Sequence, residues 1–166
     1  NKVKFDEMRL AEKQMERIPE TIGNIPYIII MDRGYPSTPA FIHMMDKDLK
    51  FIVRLKSSDY KKEQSSLTEN DQLVKIKLDK SRIRHYEGTP DGERMKELGE
   101  ISLRMVKILL ENGNLEVLAT NLSHTEFHTE EIKELYHMRW RIETAYETLK
   151  NRLQLENFSV NAGEYV

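Results

Sequence analysis

The sequence predicts a mixed α/β fold with a β-rich middle, and three observations carry that expectation. A short apolar run, Ile25 to Met31 (IPYIIIM), is bounded by Gly23-Asn24 and by Asp32-Arg33-Gly34-Tyr35, the pattern of a fully buried strand. Between Phe51 and Thr120 several stretches of strand length run apolar or alternate, separated by turn residues. Thr129 to about Leu153 then has the period of one long helix.

Each element has a local reason. From Val3 to Ile18, Phe5, Met8, Ala11, Met15 and Ile18 recur at roughly helical spacing, which sets Asp6 on a polar helix and not at a strand end. Asp32 falls just past the carboxyl end of the Ile25 to Met31 strand, where open α/β sheets place ligand sites, and Gly34 permits a sharp turn. Thr38-Pro39 reads as an N-cap followed by proline at the first helical position, opening a helix through about Asp46. Phe51 to Leu55 (FIVRL) is a core strand. Lys56 to Asn70 (KSSDYKKEQSSLTEN) is polar and reads as a mobile loop. Leu73 to Leu78 alternates Val74, Ile76 and Leu78 against Lys75 and Lys77, giving one buried and one wet face. Thr89 to Gly92 (TPDG) is a turn. Ile101 to Leu110 and Leu115 to Thr120 flank Glu111-Asn112-Gly113-Asn114, whose Asn-Gly signals a hairpin. The last helix opens at Thr129 as N-cap, with Glu130 and Glu131 in the favourable first turn. No internal repeat or low-complexity tract interrupts this order.

Composition narrows the class. At 166 residues the chain is one domain by prior. A hydrophobic fraction of 39% and a charged fraction of 33% describe a soluble, surface-rich protein, and no apolar stretch approaches the roughly 18 to 20 residues that span a membrane. Zero cysteines exclude disulfides and thiolate metal sites and suit a reducing cytoplasm. The formal net charge of −2 argues weakly against nucleic acid, but the charges are segregated. Lys50, Arg54, Lys56, Lys61 and Lys62 form one basic cluster, and Lys75, Lys77, Lys80, Arg82 and Arg84 another, while acids gather in Asp6 to Glu20 and Glu87 to Glu100.

The most informative stretch is Tyr136 to Leu153 (YHMRWRIETAYETLKNRL). At about 100° per residue, Tyr136, Arg139, Glu143 and Lys150 fall within roughly 60° of one another. A neighbouring stripe, Leu135, Met138, Ile142, Ala145, Tyr146, Leu149 and Leu153, has the width of a core-facing surface. The polar row would run along the edge of that face, held on one side and open to substrate on the other. Arg139 and Glu143 alone could be an ordinary exposed ion pair. However, Glu147 lies four residues beyond Glu143 with like charge, which is unhelpful to a helix unless Glu143 has another occupation, such as a metal ion or a phosphate.

Tyr136, Arg139, Glu143 and Lys150, with the surrounding YHMRWRIETAYETLKNRLQLENFS, resemble the signature of the insertion-sequence-four transposases of the DDE (Asp-Asp-Glu) superfamily. The resemblance implies an RNase H-like mixed core, incomplete at its N-terminus, with residues 56–120 as a β-rich insertion before the C-terminal catalytic helix. It makes Asp32 the second aspartate and Glu143 the glutamate of the triad, both of them metal ligands. Two Mg2+ or Mn2+ ions, about 3.5 to 4 Å apart in such sites, would activate an oxygen nucleophile and neutralise phosphate charge. Arg139 and Lys150 would hold the DNA backbone, one as a bidentate fork and one as a point charge, and Tyr136 would bond a phosphate oxygen or stack nearby. Both basic clusters lie between Asp32 and Glu143, where that family carries a β-rich insertion that contacts DNA.

A triad also needs a first aspartate on an early strand, and this chain offers no candidate, so the expectation is a transposase catalytic-domain fragment that is inactive by itself. The implied partners are double-stranded DNA, namely terminal inverted repeats and target DNA, and a second copy when DNA-bound, with no membrane. The implied place is the bacterial cytoplasm, at the nucleoid. The alternatives are a non-catalytic DNA-binding remnant and another RNase H-like nuclease. His124 and His128, four apart in a loop, read as structural or solvated; Trp140 reads as packing; and the eight methionines, including Met44, Met45 and Met138, read as core fillers.

Overall fold

The structure is a computed structural model that describes residues 13–15, 17–18, 20–23, 25–34, 36–110 and 113–153; within the last helix the side chains of Trp140, Glu143, Tyr146, Glu147 and residues 149–153 are not described. Asp6 and the first residues of the N-terminal apolar pattern lie outside the described residues. Where that pattern is described, between residues 13 and 22, the backbone is helical, and Met15 is buried.

Mixed α/β architecture is what the chain adopts. Strand β1 (Ile29–Met31) leads into helix α1 (Thr38–Asp46) and returns as β2 (Phe51–Leu55), a crossover that sets β1 and β2 parallel with Ile30 opposite Ile52. Helix α2 (Lys61–Ser65), strand β3 (Asp71–Lys77), helix α3 (Lys80–Ile83), a 3-10 turn (Arg84–Tyr86) and helix α4 (Pro90–Leu98) follow. Strands β4 (Glu100–Leu109) and β5 (Leu115–Thr120) close the order, and α5 (Thr129–Leu153) ends it. The five strands form one mixed sheet in the order β1-β2-β5-β4-β3, antiparallel except for the β1-β2 pair.

Strand alternation divides the sheet into two unlike faces. Phe51, Val53 and Leu55 of β2, Val74 and Ile76 of β3, Leu103 and Met105 of β4, and Val117 and Ala119 of β5 belong to one apolar core with Phe41, Met44 and Met95. Phe41 and Phe51 stack there with ring centroids 5.4 Å apart. The opposite face carries Arg54, Glu116, Arg104 and Thr120, all buried polar residues, among Ile52, Leu118 and Val106.

Several sequence expectations need correction. β1 is shorter than the apolar run and only half-buried, because it is the edge strand and has one neighbour instead of two; Ile25 is exposed. The N-cap of α1 is Ser37, one residue early: its Oγ accepts from the Ala40 amide at 3.2 Å. That frees the Thr38 hydroxyl to bond the Tyr60 hydroxyl at 3.0 Å. The supposed mobile loop 56–70 contains α2 and is pinned by buried Tyr60 and Leu67, by the Lys56 amide donating to Asp59 Oδ2 at 2.9 Å, and by Gln64 Nε2 donating to the Lys56 carbonyl at 2.7 Å. Thr89 to Gly92 is the start of α4 and not an isolated turn: Thr89 Oγ1 accepts from the Gly92 amide at 3.2 Å. A type I turn and a first helical turn share backbone angles, so the sequence signal serves both. A side chain at Gly92 would meet the Tyr86 carbonyl oxygen at 2.1 Å, which requires glycine there.

The hairpin expected from Asn112-Gly113 joins β4 to β5, with Gly113 at φ 78°. The chain divides into two units, residues 1–129 and 130–166, so α5 is described by itself. Its helix spans the predicted residues, and among the described side chains the buried ones are Ile132 and Tyr136. Met138 at 53% and Ile142 at 71% exposure do not form the expected core stripe, nor is Met138 a core filler. Ile132 and Tyr136 are four apart, so the buried side chains among the described residues share one helical row in the first turns.

Candidate active site

Asp32 occupies the first position after β1, with its side chain 44% exposed. The parallel β1-β2 pairing places it at the carboxyl end of the strand, beside β2. From β2, Arg54 reaches back: its Nη1 lies 3.7 Å from Asp32 Oδ1 while its Nη2 pairs with Glu116 Oε1 on β5. Glu116 Oε1 also accepts from Arg33 Nη2 at 3.0 Å. Arg54 and Glu116 stand on the same sheet face, because Leu118 is the direct partner of Arg54 and Glu116 lies two residues along β5. Their side chains are 8% and 3% exposed.

The result is a four-charge network, Asp32, Arg33, Arg54 and Glu116, with formal charges that cancel and with its exposed members at the strand end. Two atoms inside it, Arg54 Nε and Glu116 Oε2, are buried without a hydrogen-bond partner. Arg54 therefore does not stand with Lys50, Lys56, Lys61 and Lys62 in one basic cluster, as its place in the sequence suggests, but is buried and paired. Glu116 belongs to no motif in the sequence. A signal did exist: one arginine in FIVRL and one glutamate in LEVLAT are the opposite charges in two strands whose other residues are apolar or small. Buried charges of that kind must pair.

A second buried network lies on the same face. Arg104, 2% exposed, donates from Nε and Nη2 to Asp71 Oδ1 and Oδ2 at 2.8 and 2.6 Å, and from Nη1 to the Phe127, Ser123 and Leu122 carbonyls at 2.7, 3.1 and 3.2 Å. Thr129 adds its hydroxyl to Asp71 Oδ2, so Thr129 bonds through its side chain at the helix start to another strand. Burial pushes the Asp71 carboxyl up, but the hydrogen bonds from Arg104 and Thr129, with the charges of Arg104 and His124, outweigh it and hold the group below its usual 3.8. His124 Nε2 sits 3.6 Å from Asp71 Oδ1, an ion-pair position and not a metal ligand set.

The basic residues of α2, β3 and α3 are brought together by the fold. Lys61, Lys62, Lys75, Lys77 and Arg82 line one open cavity of about 640 Å3. Arg82 pairs with Glu63 and lies over the Tyr60 ring at 5.1 Å.

On α5, Tyr136 is buried and the Arg139 guanidinium stands over its ring, 5.4 Å from the centroid, a cation–π contact. Glu143 and Lys150 continue the same helix, but their side chains lie outside the described residues. Asp32 and Glu143 belong to different units. As a metal donor, Asp32 fits in kind: a half-exposed carboxylate at a strand end offers the hard oxygen that Mg2+ prefers. Glu116 is engaged by two arginines. Among the described residues no three His, Cys, Asp or Glu side chains form a group that could hold a metal ion.

A family model described as transposase DDE domain matches residues 6–164. The chain belongs to that family. A search of curated proteins gives no match. Membership in the DDE transposase family agrees with the mixed sheet, and transposition and recombination of DNA are the processes such domains serve. Among the described residues no helix is long and apolar enough to cross a membrane.

Proposed function

We propose that this transposase domain supplies Asp32 and Glu143 to a metal-dependent site that cleaves DNA strands at the ends of an insertion sequence and joins them to target DNA. The observation that carries the reading is Asp32 itself: a half-exposed carboxylate at the end of a parallel strand, tethered by a buried Arg54–Glu116 pair. Asp32 and Glu143 would hold Mg2+ or Mn2+, which supplies an activated oxygen nucleophile and neutralises phosphate charge. Arg139 and Lys150 would grip the DNA backbone, and Tyr136, whose ring carries the Arg139 guanidinium, would take part through that arginine. The DNA-bound protein would be a homodimer, acting at the bacterial nucleoid, and the insertion-sequence-four group is the part of the family it fits through the Tyr136, Arg139, Glu143, Lys150 row.

The test is nicking of supercoiled plasmid by the full-length protein with Mg2+ and with chelator. Nicking should need the metal and should vanish in Asp32→Asn and in Glu143→Gln, with DNA binding nearly unchanged. Cleavage retained by either variant removes that residue from the site. DNA binding without nicking by the parent protein would favour a non-catalytic DNA-binding domain, and nicking without strand joining another RNase H-like nuclease. Lys150→Ala should weaken binding and make the salt dependence shallower by about one unit; an unchanged slope takes Lys150 off the phosphates.

A further inference from the structure

We infer that Glu116, which also holds the buried Arg54, fixes the Arg33 guanidinium to take a DNA backbone phosphate beside Asp32. The inference rests on the reading of Asp32 as a site residue and adds a substrate contact and its support. Arg33 follows Asp32 in the chain, and its side chain is 47% exposed although anchored at 3.0 Å to a carboxylate that is almost fully buried. One Nη2 contact to Glu116 leaves most of the five guanidinium donors for another partner. The cavity that Arg33 lines, about 470 Å3, offers polar groups beside apolar ones: Lys56, Ser57, Ser58 and Asn114 share it with Glu116 and with Leu55, Leu115 and Val117. Cations, hydroxyls and amides are the groups that hold a phosphate ester without reading its base.

The network is poorly explained as a device for stability. A buried ion network with a guanidinium N–H and a carboxylate oxygen left unsatisfied stabilises a strand pair less than apolar packing would. It does fix direction. Glu116 on β5 restrains one arginine from β2 and one from the turn after β1, so the exposed Arg33 guanidinium is held at the strand end before any anion arrives, and a preorganised fork loses less entropy on binding.

Binding of a short double-stranded DNA, followed by fluorescence anisotropy across a salt series without metal, tests this. Arg33→Ala should weaken binding roughly tenfold and flatten the dependence of log affinity on log salt by about 0.9, the loss of one phosphate contact. Arg33→Lys should restore the slope, because it keeps the charge, but only part of the affinity. Glu116→Gln keeps both arginines, so its slope should match the parent's while affinity falls about threefold through lost preorganisation. If Glu116→Gln does not fold, the two Arg33 variants still decide. No binding by the parent chain, or the parent's slope in Arg33→Ala, overturns the inference. Should Asp32→Asn keep nicking DNA while Arg33→Ala loses its unit of slope, the catalytic reading fails and the phosphate contact stands.

Discussion

The two buried ion networks on the polar face of the sheet are built from the same parts and finished differently. Around Arg104, the guanidinium bonds both Asp71 oxygens and three backbone carbonyls, and Thr129 bonds the same carboxylate. Around Arg54, one buried N–H and one buried carboxylate oxygen have no partner, and the network opens at the half-exposed Asp32 and Arg33. A closed network ties strands β3 and β4 to the segment before α5, and its value is rigidity. An open one leaves charged groups half-exposed at a strand end, the place where the proposed phosphate contact is set.

Three measurements would break or sharpen this contrast. Arg104→Leu should have the largest effect, a loss of about 3 to 5 kcal/mol in urea unfolding, because it leaves Asp71 partly buried and uncompensated. A loss below about 1 kcal/mol would show that the network is not the anchor proposed. Glu116→Gln should cost less, about 1 to 3 kcal/mol, since glutamine still accepts from Arg54 and the network already tolerates unmade bonds. Equal losses in the two variants would erase the distinction between closed and open.

The smallest effect is on the acid limb. Asp71 is held below its usual 3.8 in the folded chain. A depressed carboxylate stabilises the fold above the unfolded value and loses that contribution as pH falls through the folded one. The stability gap between the parent and Arg104→Leu should therefore narrow below about pH 4. A gap independent of pH down to about 2 would mean that Asp71 is not depressed by Arg104.

Wherever local chemistry decides, the elements were legible. Strand β2 matches FIVRL residue for residue, the Val74/Ile76 against Lys75/Lys77 alternation gives β3 its two faces, and the hairpin turns at Gly113 as its dipeptide indicated. Misreadings share a cause. Lys56 to Asn70 reads as a loop because Tyr60 and Leu67 are its only buried apolar residues, too few for a period to show. On α5, several rows of the wheel carry apolar residues, so periodicity could not choose between the Met138/Ile142 row and the Ile132/Tyr136 row that is buried.

By itself the sequence determined the mixed α/β class, the residue types of the candidate site, and the spacing that sets Tyr136, Arg139, Glu143 and Lys150 on one helix; these depend on short-range geometry, which a chain carries wherever it folds. Only the tertiary structure decided that Arg54 leaves the basic cluster for Glu116, sixty-two positions away in the chain. It alone brought the cations of α2, β3 and α3 around one cavity, and it alone surrounded Arg104 with Asp71 and three carbonyls. Strand order sets those neighbours, and strand order is fixed by which faces bury most together, a sum over the whole sheet that no local pattern contains.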